Sequence, residues 1–195
     1  MNRKQLFEQN DNKILFEQLN DLHSTFTDAF RTQFDRSLPF ADELFDRWER
    51  AKQLNCGERS SVYDSSYVFG SPIIGEDVWI GPFTIIDGSG GLSIGKNVTI
   101  AVGVHIYTHD NIKQTLIGKH IPLDKGVVYI GDYSYIGPNA IITKNVTIGK
   151  HSIVAANSLV NKSFDDYSII AGTPAKKIGY VKIEGDNLEL IFNKV

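Results

Sequence analysis

From residue 62 onward the chain places an Ile or a Val at every sixth position, a period that few folds can accommodate. Val62, Val68, Ile74, Ile80 and Ile86 form a first series, and Ile94, Ile100 and Ile106 a second. Ile130, Ile136, Ile142, Ile148, Val154 and Val160 form a third. Two extra residues separate the first series from the second, and about eighteen separate the second from the third, as a register count along a repeat shows. A period of six matches neither the 3.6 of a helix nor the simple alternation of an ordinary strand. It matches a short strand followed by a corner, repeated.

The remaining places of the unit agree. The residue after the aliphatic one is often Gly or Ala, as at Gly75, Gly81, Gly95, Ala101, Gly131, Gly137, Gly149 and Ala155. The fifth place is small or branched, as at Val78, Thr84, Val98, Val104, Ser134, Ala140, Val146, Ser152 and Ser158. One large branched side chain per unit then points into a narrow interior and a small one fills the space beside it, while Gly and Asn tolerate the corners. Three such sides close one triangular turn, and successive turns stack about 4.8 Å apart with exposed edges at both ends.

Those ends call for caps. Leu15, Leu19, Leu22, Phe26 and Phe30 recur at helical steps, as do Phe40, Leu44, Trp48 and Ala51. Ser37 and Pro39 mark a helix start and Gly57 follows its end, so two or three amphipathic helices are expected. At the other terminus, Gly185-Asp186-Asn187 between apolar residues predicts a short hairpin. The organisation expected is a helical cap over 1–58, a β-helix over 59–180 with an excursion loop at 110–128, and a C-terminal extension over 181–195.

Composition narrows the class. The 195 residues, 42% of them apolar, suffice for one architecture with extensions. With 20 basic and 23 acidic residues the net charge of −3 supplies no global basic field for a nucleic-acid partner. Cys56 is the only cysteine, and no early stretch reads as a secretory signal, so a cytoplasmic protein is expected. No apolar run approaches the roughly 18 residues of a membrane span.

The chemistry-bearing feature is the break in the repeat. His109 stands three residues beyond inward Ile106, at or beside a corner, just before the chain leaves the repeat. Asp87 follows inward Ile86, twenty residues before Ile106, which is one 18-residue turn plus the two-residue insertion. Asp87 and His109 are therefore expected on the same side of the prism on successive turns. The excursion is far longer than most connections in compact domains, and loops of that length more often carry function.

This grammar resembles the hexapeptide-repeat family, whose units build a left-handed parallel β-helix. His109 before an excursion loop, Asp87 upstream and the run "SIIAGTPAKKIG" (168–179) together resemble that family's sugar and xenobiotic O-acetyltransferases. "FTIIDGSGGLSIG" followed by "VHIYTHD" is similar to the branch associated with bacterial surface polysaccharides. The resemblance implies a mainly-β fold and a homotrimer with active sites between subunits. It also implies acetyl-coenzyme A as the acyl-donor substrate, no metal, and His109 as general base for a sugar hydroxyl. Imidazole suits that role because it titrates near neutral pH.

By position Asp87 is expected to contact the acceptor, with Tyr135, which stands where the family often has tryptophan. Asp110 or a backbone carbonyl is expected to orient the imidazole. On the donor side, Ala156 and Asn161 match positions that line the pantetheine groove, and Ala171 to Lys176 matches the coenzyme A loop. Thr173, Lys162, Lys176 and Lys177 supply the polar contacts and cations that phosphates require. Gly137 is assigned to the cofactor side, its amide offered as an oxyanion donor because Pro138 has no N–H. Ala155-Ala156-Asn157-Ser158 departs from the family's Gly-Ala-Gly-Ser, with more bulk at 157.

The alternatives are N-acetyl transfer to a nucleotide-linked amino sugar, acylation of a small xenobiotic, a non-catalytic β-helix scaffold, and a metal-dependent carbonic anhydrase. The last needs three imidazoles about 2.1 Å from one ion. His105 and His109 stand up to roughly 13 Å apart along an extended side.

Overall fold

The structure, a computed structural model, describes residues 12–193. Residues 1–11 of the expected cap and 194–195 of the expected extension lie outside the described residues. The chain divides into two compact units between Asp46 and Arg47.

The first unit holds α1 (Lys13–Phe34) and α2 (Phe40–Leu44). The stripe of Leu and Phe residues gathers on one face of α1, which ends at Asp35 in the left-handed conformation, its N–H returning to Arg31 O. Helix α2 starts directly after Pro39, whose fixed φ suits a helix entry. It is tied to α1 by the Thr27 hydroxyl, which donates to Glu43 Oε2 at 3.2 Å, and by the edge of His23 against Phe40. The second stripe read from the sequence is interrupted, because Phe45 is extended and separates α2 from α3 (Arg47–Gln53).

The second unit begins with α3 and continues into a prism of three stacked sheets. One sheet contains β1 (Ser61–Val62), β4 (Trp79–Ile80), β7 (Thr99–Ile100), β12 (Tyr135–Ile136), β15 (Ile153–Val154) and β17 (Ser168–Gly172), all parallel. The second contains β2 (Tyr67–Gly70), β5 (Ile85–Gly88), β8 (His105–Ile106), β13 (Ile141–Ile142) and β16 (Leu159–Val160). The third contains β3 (Ile73–Ile74), β6 (Leu92–Ile94), β11 (Val128–Ile130) and β14 (Thr147–Ile148). Consecutive strands fall in different sheets and like strands pair one turn apart, Val62 with Ile80 and Ile136 with Val154. This is the parallel β-helix that the six-residue period predicts.

The fourteen inward aliphatics fill the interior, and all but the partly buried Val68 are buried. The small fifth-place residues line the same interior, and the hydroxyls of Ser60, Ser134 and Ser152 bond backbone groups of neighbouring turns. The last turn is two residues short: Phe164 takes the place beside Ile148, and Ile170 pairs with Val154. Both extend the core past Val160, where the sequence period stops.

Corners are not reserved for Gly and Asn. Phe83, Tyr133, His151 and Tyr167 also have positive φ, a conformation costing roughly 1–2 kcal/mol for a residue with Cβ. One corner column offsets this by contact: the rings of Tyr133, His151 and Tyr167 stack at 4.8 and 4.9 Å.

The two breaks in the repeat take defined shapes. The two-residue insertion forms the turn between β5 and β6. The larger excursion departs as β9 (His109–Asp110), continues through α4 (Ile112–Ile117) and returns as β10 (Asp124–Lys125). Strands β9 and β10 pair antiparallel, and Gly126 N–H donates to Thr108 O at 2.8 Å, so the excursion is closed at its base. At the far end β18 (Ala175–Glu184) pairs antiparallel with β17, covering the open edge of that strand, and β19 (Asn187–Phe192) returns after Gly185 and Asp186.

Candidate active site

Ile86 and Ile106 pair in register across β5 and β8, which brings the residues that follow them together. His109 Nδ1 lies 2.7 Å from Asp87 Oδ2. Asp87 is 1% exposed, whereas the His109 side chain is 32% exposed. The carboxylate is therefore inside and the imidazole at the surface.

Asp87 is held from several directions. Ser89 N–H donates to Oδ1 and Thr108 N–H to Oδ2, each at 2.9 Å. The Thr108 hydroxyl lies 2.9 Å from both Asp87 O and Oδ2, and itself accepts Gly90 N–H at 2.8 Å. The insertion in "DGSGG" supplies this cradle: a Cβ at Gly90 would run into the Thr108 carbonyl, and Gly91 has φ 104. Burial pushes the Asp87 carboxyl up, but the backbone and side-chain bonds from Thr108 and Ser89 outweigh it and hold the group well below the usual carboxylate range.

An ionised carboxylate only accepts, so the hydrogen in the short contact belongs to Nδ1. The lone pair of His109 is then on Nε2. Such an imidazole is set up to take a proton from a group placed before it.

Asp87 was expected to meet the acceptor. Its buried oxygens instead face Ser89, Thr108 and His109, and Asp87 rather than Asp110 is the carboxylate in contact with the imidazole. Asp110 turns away from the imidazole, with Oδ2 2.6 Å from Lys144 Nζ and Oδ1 accepting Ile112 N–H.

Beside His109 lies a groove of about 730 Å³. Tyr107, Thr143 and Lys144 of the prism form one wall, and His109 stands at the base of the excursion between the two walls. Asp110, Asn111, Ile112 and Leu123 of the excursion form the other. The Tyr107 hydroxyl is 3.1 Å from His105 Nδ1.

The expected donor-side residues lie on two edges of the prism. Asn161 and Lys162 follow β16 and continue the columns of Thr143 and Lys144, on the edge that carries the groove. Ala156 is exposed near the next corner, where the Thr173 hydroxyl donates to Asn157 O at 3.1 Å. Asn157 occupies that corner with φ 58, a conformation that explains an asparagine where glycine would also serve. Lys176 and Lys177 are exposed on β18. Tyr135 stands on the outer face of the first sheet, away from His109 within the single chain.

Gly137 is a correction. It is buried, and its N–H donates to Val154 O at 2.8 Å, so the ladder holds the amide proposed for an oxyanion. Among the described residues no three His, Cys, Asp or Glu side chains are grouped as a metal site requires, and no helix is long and apolar enough to cross a membrane.

Thr108, Ser89 and Lys144 were missed in the sequence. Thr108 sits between an inward isoleucine and the histidine and reads as corner filler. The signal for Lys144 was available, since removing the excursion from the count places it one turn from Thr108.

Comparison with known proteins follows the same lines. The pattern described as "Bacterial transferase hexapeptide (six repeats)" matches residues 128–162. CapG of Staphylococcus aureus is 42% identical over 88 residues, 45% of this chain and 51% of that protein. The carnitine operon protein CaiE of Escherichia coli is 31% identical over 126 residues, 60% of this chain and 63% of its own length. The chain thus spans about half to two thirds of the curated relatives it matches.

Among solved structures, a hexapeptide-repeat-containing acetyltransferase from Vibrio cholerae is 25% identical with a TM-score of 0.61, covering 84% of this chain and 92% of its own. AntD, an N-acyltransferase from Bacillus cereus in complex with dTDP and 3-hydroxybutyryl-CoA, is 23% identical with a TM-score of 0.58. It covers 70% of this chain and 90% of its own, and the likeness is one of fold.

Proposed function

We propose that this chain, whose residues 128–162 match the hexapeptide transferase pattern, is an acyltransferase that moves an acetyl group from acetyl-coenzyme A to a hydroxyl of a sugar, with His109 as general base. The observation that carries the reading is the 2.7 Å contact between His109 Nδ1 and the buried Asp87 carboxylate, beside an open groove. The Vibrio cholerae relative, described as an acetyltransferase, supports the reaction class.

In this reading Asp87 fixes the imidazole tautomer and orientation and does not touch the acceptor. His109 Nε2 takes the hydroxyl proton as the oxygen attacks the thioester carbonyl. The new C–O bond forms, the C–S bond breaks, and the imidazolium returns the proton to the departing thiolate. No covalent enzyme intermediate is needed, and Cys56 takes no part.

The acceptor occupies the groove between the prism wall and the excursion. The donor lies along the edge of Asn161 and Lys162. Ala156, Thr173, Lys176 and Tyr135 reach the reaction from a neighbouring copy, in a homotrimer whose sites lie between subunits. The protein works in the cytoplasm.

The test is a panel of acceptors offered with acetyl-coenzyme A: methyl glycosides of glucose, galactose and N-acetylglucosamine, and dTDP-4-amino-4,6-dideoxyglucose. Thiol release is followed and the acylated atom is located by NMR. Ester formation on a sugar that is lost in His109→Ala supports the proposal; acylation only at nitrogen overturns the choice of hydroxyl.

A further inference from the structure

Asp110 and Asp124 are direct cross-strand partners in the β9–β10 pair that closes the excursion. Like charges placed opposite each other on paired strands repel. One side chain from outside the excursion answers both. Lys144 Nζ lies 2.6 Å from Asp110 Oδ2, 2.9 Å from Asp124 Oδ2 and 3.3 Å from Asp124 O. Lys113, from α4, adds a contact to Asp124 Oδ2 at 3.3 Å, but it belongs to the excursion and cannot hold the excursion to anything else.

Lys144 follows β13, one turn of the prism away, and its side chain is 20% exposed. It therefore joins the two walls of the groove, prism on one side and excursion on the other. Asp110 and Asp124 both sit below the ordinary carboxylate range, with the Lys144 bond as the leading cause in each. Lys144 is correspondingly raised, first by Asp110 and then by Asp124.

We propose that Lys144 is a positioning residue for the acceptor: it bridges the facing Asp110 and Asp124 carboxylates and thereby fixes the excursion at its working distance from the prism wall of the groove. The inference rests on the acyl-transfer reading for its effect on turnover, but not for its effect on the excursion. The Lys144 ammonium meets three acceptors, Asp110 Oδ2, Asp124 Oδ2 and Asp124 O, and it touches no reacting atom.

The test uses the full chain and two readouts. Trypsin cleavage after Lys125 requires β9 and β10 to separate, so its rate reports closure of the excursion without reference to activity. Lys144→Met is expected to raise that rate about tenfold or more relative to wild type, and Lys144→Arg to leave it within about threefold, as loss or retention of charge-assisted bonds implies. Asp110→Asn breaks the same cluster from the excursion side and alters neither residue 144 nor the residues flanking the scissile bond, so a rise there excludes a fold defect caused by residue 144. With the panel sugar that turns over fastest, Lys144→Met is expected to raise the acceptor KM about tenfold while kcat and the acetyl-coenzyme A KM change less than about threefold. Unchanged cleavage in both Lys144→Met and Asp110→Asn overturns the latch. Increased cleavage with no turnover by any variant or by wild type sinks the acyl-transfer reading instead. A fall in kcat with an unchanged acceptor KM overturns the positioning role.

Discussion

Asp87 and His109 are twenty-two residues apart in the chain and one turn apart in the prism, and their side chains meet at 2.7 Å. The contact dictates how two substitutions differ. His109→Ala removes the base and is expected to lower kcat by about 10²-fold or more, the usual worth of a positioned proton acceptor. Asp87→Asn keeps the shape but presents an amide, whose N–H favours a lone pair on Nδ1 and so moves the hydrogen to Nε2. A large loss of kcat with an acceptor KM near wild type is expected. Steady-state kinetics on both variants, with circular dichroism to confirm folding, checks this; an acceptor KM effect alone in Asp87→Asn would restore the carboxylate to substrate contact.

Thr108 has no exposure and serves as both donor and acceptor in the Asp87 cradle. Valine matches its shape and removes the hydroxyl, leaving Gly90 N–H without its partner and Asp87 with one bond fewer. Thr108→Val is expected to cost about 1–3 kcal/mol of stability, the penalty for stranding buried polar groups. It is also expected to lower kcat, because the imidazole follows Asp87. Urea midpoints and single-acceptor kinetics measure the two effects, and a fully wild-type variant on both counts would remove Thr108 from the site.

Acid stability follows from the depressed Asp87 carboxyl. A group whose folded pKa lies below its unfolded value, about 3.9 for Asp, contributes stability that is fully present above that value. The contribution is lost as pH falls further, through the folded pKa. Between about pH 7 and 5 this group adds no slope, and below about pH 4 it adds a steep one. Asp87→Asn is expected to be less stable near neutrality and to show a flatter decline on the acid side. Urea midpoints for both proteins across that range decide it, and equal acid slopes would assign the decline to other carboxylates.

The fold was legible because one physical rule repeats: each inward position must be filled by a branched aliphatic of nearly constant size, so a single sequence column reports the interior. It ceased to be legible where the rule bends. Phe164 lies two residues ahead of the regular place, and its larger ring fills a shortened turn that period counting does not anticipate. The site was legible in its pairing and not in its roles. Register counting places Asp87 near His109, but which of them is buried depends on the Gly90 and Thr108 contacts, which carry no periodicity. The place of Lys144 could be counted but not its role, since that comes from Asp110 and Asp124 facing each other in a hairpin inside what reads as an irregular loop.

The two lysines of the coenzyme A loop separate on geometry. In the antiparallel pair of β17 and β18, Lys176 stands opposite Ala171 and Lys177 opposite Ile170. Cross-strand partners share a face, and consecutive residues alternate. Ile170 is buried in the prism interior, so Lys177 leaves on that side of the sheet, beyond the last turn, while Lys176 leaves on the outer face. A donor lying along the outside of the prism meets Lys176. Lys176→Ala is expected to raise the acetyl-coenzyme A KM about tenfold with little change in kcat, as loss of one charge-assisted phosphate contact implies. Lys177→Ala is expected to stay within about twofold on the same reasoning. The Lys176 effect is also expected to shrink as salt rises, because an exposed ion contact is screened. Equal effects of the two substitutions, or a salt-independent one at Lys176, would place the donor phosphates elsewhere on the prism.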